Sequence, residues 1–220
     1  MKLKILVSGD SFTDKNWTSA HHPDLDTSWK KWPELLGEMM NAEVINVAKS
    51  GSGPEYIFNS IIDELKKKNN IDLVIAAWSK SSRRDYKLYN SPRNLHLDTH
   101  GDTEYFIERQ LRYQFLLQEL CKHFGKKLRQ FSMLNEYNGE RGLRDYGYHM
   151  IQYYMRKKSN DYYNLIEKNF IGFPGVISGG GFSMEMFMDK KRHVVSELDT
   201  HPNEEGQKVL AKEIYERLEL

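Results

Sequence analysis

A chain of 220 residues with 39% hydrophobic content can bury one sizeable core, and no Pro/Gly-rich linker or charge block divides it, so a single domain over residues 1–220 is expected. Its 32 basic residues nearly balance 31 acidic ones, which excludes the strong basic footprint of a nucleic-acid or anionic-membrane binder at the level of the whole chain. No apolar stretch approaches the roughly 18 residues that a membrane-spanning helix needs, and the lone Cys121, in an apolar helical stretch, forms no intrachain disulfide and fits a reducing, cytoplasmic compartment.

In chain order, the apolar run Leu3–Val7 is too short for the core of a signal peptide and reads as a strand that stops at Gly9-Asp10-Ser11. Val44–Val47 and Leu73–Ala77 have the length and β-branched content of strands buried on both faces of a parallel sheet. Pro33 opens a helix through Met40, and Pro54 opens another through Leu65. A longer helix is expected from about Thr103 to His123, ending at Gly125, followed by a strand over Leu128–Met133. From about 135 to 169 the chain is tyrosine-rich and polar, which predicts a helical excursion over one face, a candidate lid or pocket wall. Pro202-Asn203 then introduces an amphipathic last helix, Glu204 to Leu218. The alternation of strand and helix predicts a doubly wound α/β domain.

In an open α/β sheet, ligands bind beyond the carboxyl ends of the strands. Three such ends carry polar groups: Gly9-Asp10-Ser11 after the first strand, Lys49-Ser-Gly-Ser-Gly53 after the second, and Ser79-Lys80 after the third. A serine there is a useful nucleophile only with a base in reach, donors for the oxyanion and a third group that orients the base. Of the eight histidines, His201 stands in an acid-flanked loop held by Pro202, just before the last helix. Asp199 is positioned to accept from its Nδ1–H. The backbone amides of Ser11 and of Gly51, which has no Cβ to block close approach, are candidate oxyanion donors.

These residues resemble the SGNH, or GDSL-type, hydrolase family. The first block of that family is matched by Gly9-Asp10-Ser11-Phe12, the second by Asn46 through Gly51, and the last by Asp199, His201, Pro202, Asn203 and Gly206. The resemblance implies a flavodoxin-like three-layer α/β/α sandwich with a central parallel sheet and a Ser-His-Asp mechanism through an acyl-enzyme. It also implies small-molecule or carbohydrate ester substrates and no metal or other cofactor. Two positions depart from the pattern. Ser79 stands where the family carries the asparagine that completes the oxyanion hole. Leu198 stands where it carries its aspartate, so Asp199, or Glu197 in its place, is left to orient His201.

Asp10, Arg83 and Arg84 are further candidates for substrate contact on the same carboxyl edge, with a solvated loop as the plainer reading of the arginine pair. His96 and His100 have helix-face spacing suited to zinc, but Asp98, Thr99 and Gly101 favour a turn and the glutamate of a zinc-protease pattern is absent, so no metal is expected. A non-catalytic module that keeps the fold to bind carbohydrate or a protein partner is the alternative to an esterase.

Overall fold

The computed structural model describes residues 2–67, 70–88, 91–95, 103–135, 146–176 and 180–218. Seven strands and five helices occur among them: β1 (Leu3–Ser8), α1 (Trp32–Met39), β2 (Ala42–Asn46), α2 (Pro54–Lys66), β3 (Leu73–Trp78), β4 (Arg84–Leu88), β5 (Ser91–Leu95), α3 (Thr103–His123), β6 (Lys127–Ser132), α4 (Tyr146–Ile166), β7 (Phe170–Ile171) and α5 (Glu204–Arg217). Five strands form one parallel sheet in the order β2-β1-β3-β6-β7. The chain passes from β1 to β2 on one side and then crosses to β3 on the other, so the strand order reverses between β1 and β3, where open sheets of this kind leave a crevice.

The period of two along each strand sorts the core into two layers. Ile5 and Val7 of β1, with Leu73, Ile75 and Ala77 of β3, pack with Trp32 and Leu36 of α1 and Leu210 and Ile214 of α5. Leu6, Val74, Ala76 and Trp78 face the other way, against Ile57, Ile61 and Leu65 of α2, Leu117 and Cys121 of α3 and Ile166 of α4. The sheet is therefore covered on both faces, a three-layer α/β/α sandwich. Burying one such aliphatic side chain contributes about 1.5–3 kcal/mol, and residues 73–78 of β3 are all buried, which is why that strand reads as a continuous apolar run. Burial also pushes the Cys121 thiol up to about 12, so it is a packing group and not a nucleophile.

One sequence expectation needs correction. The strands β4 and β5 pair as an antiparallel hairpin outside the main sheet, and Arg84, half of the arginine pair read as a solvated loop, opens β4. Asp85 of β4 accepts from the backbone N–H of Gly53 and of Tyr56, both at 2.8 Å, and so caps α2, whose own N-cap residue is a glycine with no side chain to do it. The tyrosine-rich stretch read as a helical excursion contains α4, the crossover helix between β6 and β7. It packs on α3, with Lys158 paired to Glu104 at 3.0 Å and Gln118 Nε2 donating to the Leu165 carbonyl at 2.6 Å. His96, His100 and residues 136–145 lie outside the described residues. Among the described residues no helix is long and apolar enough to cross a membrane, and no group of three or more His, Cys, Asp and Glu could hold a metal ion.

Candidate active site

The chain leaves β1 at Ser8 and turns sharply. Thr13 and Asp14 donate their backbone N–H to the Asp10 carbonyl, both at 2.9 Å, and Phe12 N–H donates to the Asp10 carboxylate at 3.1 Å. Gly9 is required by this turn, since a Cβ there would come within 2.5 Å of Thr13 Oγ1. The turn carries Ser11 at the mouth of the β1/β3 crevice, 8% exposed.

At the far end of the chain, the segment before α5 closes a tight loop. Val195 N–H donates to the His201 carbonyl at 3.0 Å, and Asp199 N–H donates to Ser196 Oγ at 3.0 Å. This loop lies over the Ser11 turn because α5 is pinned there by Gln207. The Gln207 amide accepts from Trp32 N–H at 2.8 Å, donates to the Phe12 carbonyl at 3.3 Å and is buried.

Three side chains meet as a result. His201 Nε2 lies 2.7 Å from Ser11 Oγ, and His201 Nδ1 lies 2.6 Å from Asp199 Oδ1. Burial raises the Asp199 carboxyl, but donation from Ser19, from the His201 ring and from the His201 backbone outweighs it and holds the group below the usual carboxylate range. A carboxylate can only accept, so Nδ1 carries the proton and Nε2 presents its lone pair to the Ser11 hydroxyl. Glu197 is exposed, whereas Asp199 is 3% exposed. The acid that the loop turns inward is Asp199.

Two partners of this line were not singled out from the sequence. Ser19 Oγ donates to Asp199 Oδ2 and accepts from His22 N–H at 3.0 Å, so both carboxylate oxygens of Asp199 are engaged. The indole of Trp17 stacks on the His201 ring with centroids 4.6 Å apart and planes inclined at 28°, and Phe12 covers it at 5.1 Å. Both Trp17 and Ser19 are buried members of a mostly exposed, His/Asp/Pro-rich loop, and an indole in such a loop is the one signal that could have found them. Lys31 closes that loop. Its buried ammonium donates to the carbonyls of Thr27 at 2.5 Å and Trp29 at 3.1 Å and lies over the Trp29 ring at 4.8 Å.

The remaining candidates fall into three groups. Gly51 sits in the turn after β2 with φ 79°, a left-handed conformation that glycine adopts without strain. That turn is fastened beside the Ser11 turn: Lys49 N–H donates to the Gly9 carbonyl at 3.1 Å, and Ser50 donates to Asp14 through N–H at 2.7 Å and Oγ at 2.6 Å. Ser79, directly after β3, is 1% exposed, and its Oγ has no hydrogen-bond partner among the described residues. Asp10 is fully buried and paired with Arg83 at 3.0 Å, while Arg83 also donates to the Ser52 carbonyl at 3.1 Å. Asp10 therefore holds the turns together. Arg83 reaches the cleft edge as a paired, largely buried group, and Arg84 starts β4 with its guanidinium over Phe106 at 4.8 Å. Neither arginine is the freely solvated side chain of the plainer reading.

A cleft of about 620 Å³ opens onto His201 and Asp199, with Phe12, Trp17 and Leu134 among its walls. The site therefore combines a hydroxyl with an adjacent base, an acid that fixes the tautomer of the base, an unpaired buried hydroxyl at the neighbouring strand end, and space for a ligand.

No protein-family model matches the chain, and no curated protein matches it. Solved structures do match along its whole length. A catalytic mutant of an acetylxylan esterase from Geobacillus stearothermophilus superposes with a TM-score of 0.59 at 13% identity, covering 100% of this chain and 96% of that one. A psychrotrophic esterase from Pseudoalteromonas sp. gives 0.57 at 14% identity, covering 98% and 96%. A member of the lipolytic G-D-S-L family from Veillonella parvula gives 0.55 at 14% identity, covering 97% of each. The fold is a doubly wound α/β/α sandwich, and within that class it is the fold of the SGNH hydrolases.

Proposed function

We propose that the protein is a serine hydrolase that cleaves carboxylic esters through an acyl-enzyme on Ser11. The observation that carries this reading is the hydrogen-bonded line from Ser11 Oγ through His201 to Asp199, at 2.7 and 2.6 Å. In the mechanism, His201 Nε2 takes the Ser11 proton as Oγ attacks the ester carbonyl, and Asp199 stabilises the imidazolium that forms. The negative charge that develops on the carbonyl oxygen is received by the amides of Ser11 and Gly51 and by the Ser79 hydroxyl. His201 then returns the proton to the departing alcohol. A water molecule, deprotonated by the same imidazole, attacks the acyl group and restores Ser11.

Ser79 supports this reading from a second direction. A buried donor left unpaired costs about 1–3 kcal/mol, and an oxyanion beside it would relieve that cost. O-acetyl groups on carbohydrate are the favoured substrates, in keeping with an acetylxylan esterase among proteins of this fold. The chain acts as one domain, and its only cysteine suits the reducing cytoplasm. A fluorophosphonate probe tests the proposal. Covalent labelling of the native protein that disappears in Ser11→Ala is expected. An unlabelled native protein at pH 8 would leave a non-catalytic carbohydrate- or protein-binding module as the better reading.

A further inference from the structure

Glu185 and Lys80 stand in the wall of the same cleft, and the ester mechanism uses neither. Glu185 belongs to a short 3-10 turn over Met184–Phe187. Its N–H donates to the Met133 carbonyl at 3.0 Å, and its Oε1 accepts from Asn135 N–H at 2.8 Å, which fixes the carboxyl against the end of β6. The residue is 9% exposed, and burial pushes its carboxyl above the usual range. Lys80 follows Ser79 at the end of β3, is half-buried, and its ammonium makes no hydrogen bond or ion pair among the described residues. Lys190 lies exposed at the rim.

The chemistry of this wall discriminates among alcohols. An apolar alcohol would strip water from a carboxyl and an ammonium and replace it with nothing, which is costly for charged groups. An anionic alcohol group drawn to Lys80 would also meet Glu185. A run of hydroxyls suits both, because each hydroxyl donates to a carboxylate and accepts from an ammonium. We infer that Glu185 and Lys80 form a subsite for the hydroxyls of a polyhydroxylated alcohol, a sugar, and so set the preference for sugar esters over simple ones. The inference rests on the ester-hydrolase reading of Ser11 and adds the group that the cleft holds while the ester is cut.

The test compares 6-O-acetylglucose with p-nitrophenyl acetate, whose alcohol offers no hydroxyl run. In Glu185→Gln the amide oxygen still accepts from Asn135 N–H, and Lys80→Met keeps the length of the stem. Each variant is expected to lower the ratio of kcat/KM for the sugar ester to that for the aryl ester at least about tenfold, through KM. A ratio within about twofold of the native value overturns the subsite, as does a parallel loss on both esters. A second arm measures binding of 6-O-acetylglucose to Ser11→Ala protein by ligand-observed NMR. Binding that Glu185→Gln abolishes supports the subsite, and binding that survives both substitutions, or no binding at all, overturns it. A native protein that cleaves neither ester overturns the hydrolase reading, and the binding arm then decides the subsite separately.

Discussion

The carboxyl ends of β1 and β3 are neighbours in the sheet, yet their polar groups are treated in opposite ways. After β1, Asp10 is bonded to Phe12 N–H and to Arg83, and Ser11 is bonded to His201. After β3, the Ser79 hydroxyl is equally buried and has no partner among the described residues. Satisfied groups hold a shape; an unsatisfied one stores free energy that a ligand can release. Under the proposed mechanism, the resting protein is relaxed where the nucleophile waits and unrelaxed where the charge of the transition state will fall, as differential binding of that state requires.

Four substitutions sharpen or break this contrast. On the β1 side, Ser11→Ala should lower kcat by roughly 10⁶-fold, and a loss of less than a hundredfold in a steady-state ester assay would remove Ser11 from the chemistry. Asp199→Asn should lower kcat by about 10⁴-fold with little change in KM, because an amide can donate to Nδ1 and impose the wrong tautomer. On the β3 side, Ser79→Ala should cost about a hundredfold in kcat while thermal stability stays level or rises, since it deletes an unpaired hydroxyl. Ser79→Asn, with a longer donor, should raise turnover. If Ser79→Ala instead lowers the melting temperature and spares kcat, the unpaired hydroxyl has a structural role and the contrast fails.

The smallest effect is expected at Ser19, whose donation to Asp199 should be worth about tenfold in kcat on deletion. Its distinguishing readout is pH. The Asp199 carboxyl titrates below its ordinary value of 3.8, so its contribution to stability is present above that pH and is lost as the pH falls through the depressed folded value. Ser19→Ala removes a donor and moves the folded value upward, so the acid-side loss of stability should begin at a higher pH than in the native protein. Superimposable acid-unfolding curves would show that Ser19 does not set this balance.

The parts of the fold legible in the sequence are those where burial is two-sided. β1, β3 and β6 carry apolar residues toward both helical layers, so their runs announce themselves, and Pro33, Pro54 and Asn203 mark helix starts. The hairpin β4–β5, with the sequences Arg-Asp-Tyr-Lys-Leu and Ser-Pro-Arg-Asn-Leu, has no apolar run because it lies off the main sheet. β7 is two residues long and exists only through pairing with Gln130 and Phe131. Ser11 and His201 stand out by their settings at a strand end and before a helix and by the family resemblance, which leaves the acid open between Asp199 and Glu197. The partners of Trp17, Ser19 and Asp10 are not legible in the sequence, because those contacts are long-range and no local period encodes them. The contact from Ser19 to Asp199 spans 180 residues.

The bond between Ser11 and His201 joins positions 190 residues apart, with Gln207 of the last helix as the brace. The order in which the chain folds follows from this. Strands β1 to β3 and the helices between them pair at much shorter sequence separations than Ser11 and His201 and can assemble first, whereas closing a loop of almost the whole chain comes late. Until α5 docks, Ser11 has no base, and Trp32 and Leu36 lack the layer that covers them. The Ser11–His201 contact therefore doubles as a seal. In refolding, recovery of a reactive serine should coincide with the final closure of the molecule, after most of the sheet has formed.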